Sequence, residues 1–596
     1  MKFKQLLAVL FSKELWTRRF TIMWIASFIV VFTFDILWSM QTTFRSMSFV
    51  QTYLSAFVAA FIMSLPTALC PKKLWVQTVL LFLFAAAFES NLIYFRTYFT
   101  AIPASSYLLV GNLKDFTASI FDSVRVGDIF LFIPIFIGYF IAKTQEVKQI
   151  SFKHFSISAL LVMLLSFFFT LPYGGMIKHI NKLSQECYYI NTPIVIYTPF
   201  GKILSDISQQ HEKMSAEEYN DVVIFLNRHN TSANFAYVST QVPENVIIIF
   251  LESFESWVIG AKCNDKELTP TLNSLVADST TLYFPNVATQ VGTGRSIDAQ
   301  LLMLSGLYPM KNEVYSMKYY NNTYYTIPKA LKEANSNLKT YLLTGDKAHV
   351  WNQSLIAKAF GVDTILDANS WEITEKIGSP AKLSDNALFT QAIEKMKNGD
   401  IWPQGTNAYI HFIAYSSHNP FVIPEEYRQE TFVFDDEKLA DYATTVNYVD
   451  YSLSKLLSYI KSRDDYKNTM IVIAGDHEGI ETYRKDWRNS FNTVSEGQFT
   501  PVIILNSPIS GRYDGIIGQV DVYSTLLDVM GLQNYIWNGL GISAFNNSFN
   551  AAINAQNKII SNIEASDSII NELKTAQRVS DCIIKFDILK ELTHLK

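Results

Sequence analysis

Five apolar stretches fall within the first 173 residues, at roughly 19–40, 50–70, 74–95, 128–143 and 153–173, and nothing else in the chain restricts its fold as strongly. A hydrocarbon core about 30 Å thick takes ~20 helical residues to cross. Each stretch is therefore expected to be a transmembrane helix, the fourth being the shortest. The first is too long for a signal-peptide core and lacks a clear small-residue cleavage site, so it reads as an uncleaved anchor. Basic residues orient the bundle. With the N-terminus inside, the inner segments carry Lys2, Lys4, Lys13, Arg18, Arg19, Lys72, Lys73, Lys143, Lys148 and Lys153, against Arg45, Arg96, Lys114 and Arg125 outside. The imbalance predicts a multi-pass protein of the cytoplasmic membrane with its N-terminus in the cytoplasm. Five crossings then place everything after about residue 173 on the far side.

Polar residues interrupt the apolar runs at Asp35, Glu89 and Asn91. Ionisable groups in hydrocarbon are costly, so Asp35 and Glu89 either face the bundle interior near an interface or take part in lipid handling. Arg96 sits among aromatics in YFRTYFTAIP (94–103), where it either meets a lipid phosphate or belongs to an aromatic anchor belt.

The chain of 596 residues is too long for one soluble domain. Its net charge of −5 gives no basic field for nucleic acid. Four scattered cysteines, Cys70, Cys187, Cys263 and Cys582, make neither a zinc knuckle nor a disulfide framework. Residues 174–242 read as a linker of amphipathic helices along the outer surface. One of these opens at Ser215, a cap candidate followed by acids, while His211 and His229 are expected to be solvated.

From 243 to about 545, short apolar strands alternate with helical stretches. Strands are expected at 245–251, 338–344, 408–415, 469–475 and 501–505, and helices at 269–279, 326–335, 384–398 and 436–462. Such alternation predicts an α/β domain with a mainly parallel sheet covered on both faces. Ligands in these folds gather at the carboxyl ends of the strands. Residues 546–596 read as an amphipathic helical tail.

Those strand ends carry the chemistry. NVIIIFLES (245–253) stops at Glu252, and MIVIAGDHEG (470–479) stops at Asp476-His477. The Gly-rich segment TQVGTGRSIDAQ (289–300) leads through Ser296 into a helical run, and His418 follows the strand at 408–415. Glu252, Ser296, Asp476 and His477 together make an O₃N donor set suited to Mn²⁺, Mg²⁺ or Zn²⁺. A hydroxyl ionises more easily on a metal and then attacks phosphorus at neutral pH. Gly292, Gly294 and Arg295 beside Ser296 add an anion-binding turn. His411, inside an apolar strand, reads as a core residue.

LESFES (251–256), GTGRSIDAQ (292–300), GDKAHVWNQ (345–353), SSHNPF (416–421), AGDHEG (474–479) and QVDVYSTLLDVMGL (519–532) resemble the lipoteichoic acid synthase family. These are membrane-anchored phosphoglycerol transferases of the alkaline phosphatase/sulfatase superfamily, and the resemblance covers nearly the whole chain. It implies that Glu252, Asp476 and His477 bind the metal, Mn²⁺ ahead of Mg²⁺ or Zn²⁺. It also implies that Ser296 stands where the family nucleophile is usually Thr, with Arg295 and Asp298 keeping the surrounding pattern and Thr293 as the alternative hydroxyl. Trp351 and His418 match substrate-contacting residues. Gln353 departs from the family, which keeps an Arg there.

The implied function is transfer of a phospho-alcohol group, phosphoglycerol first, from a phospholipid such as phosphatidylglycerol to a glycan or polymer hydroxyl through a covalent Ser296 intermediate. The alternatives are a phosphoethanolamine transferase or a hydrolase of the sulfatase or phosphodiesterase type. The sulfatase reading lacks its C/S-x-P-x-R context, since Ser296 is followed by I-D-A-Q.

Overall fold

The computed structural model describes residues 12–41, 50–98, 102, 123–171, 214–229, 234–311, 313–348, 350–377, 382–479, 499–562 and 564–591. Most of the 174–242 stretch, with His211, Cys187 and the basic residues Lys2, Lys4, Arg45 and Lys114, lies outside them. The chain forms two compact units, one within the first 212 residues and one from residue 213 onward.

The N-terminal unit is helical. Its helices are α1 (Arg18–Gln41), α2 (Val50–Leu69), α3 (Leu74–Tyr98), α4 (Ile133–Lys143) and α5 (Phe152–Thr170), with a 3₁₀ turn at Val126–Leu131 before α4. Among the described residues, three segments are long and apolar enough to cross a bilayer: Arg18–Trp38, Leu74–Tyr94 and Val126–Lys143. Shorter apolar stretches, Ala56–Leu69 and Phe152–Leu165, lie within α2 and α5. Leu83, Phe140 and Leu160 point outward, as lipid-facing side chains do. Inside, polar groups tie helices together: the Gln77 amide donates to Met23 O (3.3 Å) and Ser27 Oγ (3.2 Å) and accepts from Thr67. Asp35 is buried in the unit.

Arg96 corrects its sequence reading. Its guanidinium grips Asp128 with two bonds of 2.7 Å and donates to Ser123 O at 2.7 Å. The two side chains are 3% and 4% exposed, so Arg96 serves an internal ion pair and not a lipid phosphate.

The second unit is built on a nine-stranded sheet. Ahead of it, α6 (Ala216–His229) starts in a capping box, with Ser215 N donating to Glu218 Oε2 and Glu218 N to Ser215 Oγ. The strands are β1 (Asn245–Leu251), β2 (Leu282–Ala288), β3 (Lys339–Thr344), β4 (Thr364–Leu366), β5 (Ala408–Ile413), β6 (Thr469–Gly475), β7 (Phe499–Leu505), β8 (Gly511–Arg512) and β9 (Ile517–Gly518). They run in the order β8-β2-β7-β6-β1-β5-β3-β4, with β9 also on β2. The stretch from β6 to β4 is parallel, whereas β7 pairs antiparallel with both β6 and β2.

Alternate residues of β1 serve opposite faces. Val246, Ile248 and Phe250 enter one core with α6, α7 (Ser296–Ser305) and α8 (Gln519–Val529). Ile247, Ile249 and Leu251 enter another with helices Asp385–Lys397 and Glu437–Lys461. Each fully buried side chain of this kind contributes ~1.5–3 kcal/mol. Those two helices have side-chain N-caps: Ser384 accepts from Ala387 N (3.1 Å), and Asp436 from Lys438 N and Leu439 N.

The sheet is thus more mixed than the sequence suggests. A strand buried on both faces has the same apolar run whichever way it points, so direction is not written in the pattern. β2, with Pro285 inside it, was not anticipated. The tail contains a hairpin, Ala551–Ile553 with Ile559–Ser561, before its helix at Asp567–Phe586. Its three-residue strands are too short for periodicity to reveal. His229 is buried rather than solvated: it stacks on Phe225 (5.2 Å) and its Nε2 lies 3.3 Å from Gly541 O. An imidazole facing the apolar side of α6 is drawn in by its neighbours. His411 is buried against Phe250, as its strand position implies.

Candidate active site

Register alone brings the two strand ends together. In the parallel β1–β6 pair Leu251 faces Gly475, so the next residues, Glu252 and Asp476, leave the sheet side by side. Asp476 N donates to Leu251 O at 3.0 Å and carries the pairing one step further. Gly475 is required there, because a Cβ would sit 2.1 Å from Phe254 O. On the other side of β1, Ala414 N donates to Phe250 O, and the chain continues through Ser416 and Ser417 to His418. Asp385 accepts from Tyr415 N (2.7 Å) and Ser416 N (3.1 Å) and fixes that loop.

Ser296 opens α7, with its Oγ 3.0 Å from Glu252 Oε2 and 3.2 Å from His477 Nε2. The turn before it folds around Asp298, whose Oδ2 accepts from Gly292 N (3.0 Å) and Gly294 N (2.9 Å). Glycine is needed at 294, where a Cβ would meet Asp298 Oδ1 at 2.3 Å. Non-glycine residues beside the site that hold positive φ include Ser253 (52°), Arg295 (49°) and Trp351 (53°). Such backbone costs ~1–3 kcal/mol each and concentrates at functional sites.

Ligand atoms of Glu252, Asp476 and His477 lie within 4.8 Å of one another, and all three residues are buried. Burial raises the Asp476 carboxyl well above its usual range, and the Glu252 charge raises it further. Burial would also raise Glu252, but the His477 and His418 rings and the Ser253 and Ser296 hydroxyls hold it below the usual range. Burial, then the Arg295 charge, pushes His477 down to about 4, so the ring is neutral and Nε2 can offer a lone pair. Two buried carboxylates, a neutral imidazole and a hydroxyl fit a divalent cation, whose charge would relieve their repulsion.

A cleft of about 600 Å³, open mouth included, has Glu252, Ser296 and His418 in its wall together with Trp351 and Gln353. The amides of Gln353 and Gln300 donate to each other at 2.9 Å, so this part of the wall is neutral and self-satisfied. Lys347, exposed, also lines the cleft. His418 Nδ1 lies 2.7 Å from Asn419 O and its ring stacks on Tyr415 at 5.1 Å. Thr293 is buried and its hydroxyl has no hydrogen-bond partner among the described residues. Arg295 lies away from the cleft wall, bonded to the Glu478 carboxylate, to Glu478 O (2.8 Å) and beside His477 Nδ1 (3.0 Å). Glu478, Gln300 and Asp385 were not singled out from sequence. Only Glu478 carried a signal, as a third polar residue directly after the Asp-His pair.

A family model described as Sulfatase matches residues 244–532. The chain is 26% identical to lipoteichoic acid synthase of Staphylococcus aureus, over 82% of this chain and 77% of that protein. The crystal structure of the lipoteichoic acid synthase LtaP from Listeria monocytogenes shares the fold with a TM-score of 0.52 at 20% identity, covering 62% of this chain and 98% of that one. The integral membrane lipooligosaccharide phosphoethanolamine transferase A (EptA) from Neisseria meningitidis also has a TM-score of 0.52, at 14% identity, over 86% of this chain and 95% of that one. Residues 244–532 therefore match the Sulfatase family model, and the chain is an enzyme similar to lipoteichoic acid synthase over most of its length.

Proposed function

We propose that this enzyme transfers a phospho-alcohol group, phosphoglycerol first, from a membrane phospholipid to a hydroxyl of a glycan or polymer. The observation that carries this is Ser296 Oγ, held between Glu252 Oε2 and His477 Nε2 in the cleft wall. Glu252, Asp476 and His477 would hold the divalent cation, Mn²⁺ ahead of Mg²⁺ or Zn²⁺, which lowers the pKa of the serine hydroxyl and offsets charge on the phosphoryl oxygens.

Ser296 Oγ attacks the phosphorus of the donor diester. The bond from phosphorus to the diacylglycerol oxygen breaks, and diacylglycerol leaves with the electron pair and a proton. The phospho-alcohol remains on Ser296. In the second half the acceptor hydroxyl attacks the same phosphorus, loses its proton, and returns Ser296 to its resting form. His418 is suited to moving these protons: with Nδ1–H donating to Asn419 O, its Nε2 is the basic nitrogen. Trp351 offers an apolar face to the alcohol, and Gln353 a neutral one.

In this reading residues 1–173 cross the cytoplasmic membrane five times from a cytoplasmic N-terminus, 174–242 link, 243–545 catalyse outside, and 546–596 form the tail. A catalytic domain on the same chain as membrane helices meets lipid at a high effective concentration. Phosphatidylglycerol is the expected donor. The test is mass spectrometry of the purified full-length protein after incubation with phosphatidylglycerol or phosphatidylethanolamine. A phosphoglycerol adduct on Ser296, absent from Ser296→Ala, is expected. A phosphoethanolamine adduct would reassign the donor, and full transfer by Ser296→Ala would end the scheme.

A further inference from the structure

The residue before the nucleophile and the residue after the histidine ligand meet behind the site. Arg295 places Nη1 on a Glu478 carboxylate oxygen and Nη2 on Glu478 O, with their side chains 16% and 8% exposed. The same Nη2 is 3.0 Å from His477 Nδ1, which is itself 2.9 Å from Glu478 O. His477 Nε2 faces the other way, 3.2 Å from Ser296 Oγ and 3.5 Å from both Glu252 Oε1 and Asp476 Oδ2.

These contacts admit two tautomers. A guanidinium only donates. If Arg295 donates to Nδ1, the imidazole proton must sit on Nε2, where it points at the carboxylates and bars ligation. If Nδ1 keeps the proton and donates to Glu478 O, the Nε2 lone pair is free. We propose that Arg295 and Glu478 are positioning residues for His477: by engaging the guanidinium, the Glu478 carboxylate leaves the imidazole proton on Nδ1 and so sets the affinity of the metal site. The inference rests on reading Glu252, Asp476 and His477 as metal ligands. It gives Arg295 a task behind the histidine rather than on the substrate. It also accounts for an acid next to the Asp-His pair, where another negative charge would otherwise only add repulsion.

The test is a calorimetric titration of the full-length protein in detergent with Mn²⁺ and, separately, Zn²⁺. Glu478→Gln keeps the shape but weakens the hold on Arg295, and should lower metal affinity about 10–100-fold. Adding Arg295→Met removes the competing donor, while Glu478 O still accepts from Nδ1. The double variant should therefore recover most of the affinity, which a general loss of packing would not allow. At saturating Mn²⁺, Glu478→Gln should regain its transfer rate with an unchanged KM for phospholipid. Wild-type affinity in Glu478→Gln, no recovery in the double variant, or a tenfold rise in KM would each overturn the inference. Wild-type protein that binds neither ion would instead remove the metal reading on which it rests.

Discussion

Two buried arginine–carboxylate pairs occupy the two units of this protein, and they do different things with the same chemistry. Arg96 and Asp128 close on each other through two parallel bonds, with Ser123 O and Arg125 N completing the set. All of these contacts lie between α3 and the turn leading to α4, so the pair anchors structure. Arg295 and Glu478 are joined less symmetrically, and the spare reach of the guanidinium falls on His477. The sequence left Arg96 either beside a lipid phosphate or in an aromatic belt, and put Arg295 in an anion-binding turn. A guanidinium in a low-dielectric setting binds the first carboxylate within reach, and the partner's further contacts decide whether the pair is scaffold or machinery.

The comparison is sharpest where the proposed nucleophile is removed. Ser296→Ala should lower transfer on the order of 10³-fold or more, measured with a defined lipid donor, while leaving thermal stability near wild type. Arg96→Met should show the opposite profile. Stranding Asp128 should cost about 3–5 kcal/mol, read by thermal unfolding of the detergent-solubilised protein, with Mn²⁺ affinity unchanged. Pairing it with Asp128→Leu should recover most of the loss, since both charges are then gone. An altered Mn²⁺ affinity in Arg96→Met would break the division between the two pairs. Glu478→Gln comes next, with its 10–100-fold effect on metal affinity.

At neutral pH the smallest effect is expected at His411, buried in β5, whose Nε2 has no hydrogen-bond partner among the described residues. Burial holds its pKa at about 3, below the ordinary 6.5. The folded protein therefore keeps His411 neutral while the unfolded chain takes up a proton below pH 6.5. Its contribution is present above pH 6.5 and lost as pH falls from there toward 3, with a slope approaching 1.4 kcal/mol per pH unit. His411→Phe should lack this component. Its stability relative to wild type should improve progressively on acidification in chemical denaturation, and a constant offset would refute the assignment.

Much of the site was legible because it sits on regular structure. β1 and β6 are apolar runs that end abruptly, so Glu252 and Asp476 were marked as strand-end residues, and parallel register made them neighbours. Ser296 was marked by the glycines before it. What failed to show was contact across long separations: Gln300 with Gln353, Asp385 with the Tyr415–Ser416 backbone, Arg96 with Asp128. Each pairs residues from elements whose adjacency no local pattern encodes. His229 misled for the same reason, because its burial depends on Phe225 and the chain around Gly541.

The sequence by itself determined the apolar helices, the α/β alternation and where the four candidate donor groups fall, at two strand ends and one helix start, since periodicity and element termination are local properties. Only the tertiary structure decided what the charged residues near those groups are for. Long side chains choose partners by proximity after folding, and Arg295 turns away from the cleft because a buried carboxylate lies behind it.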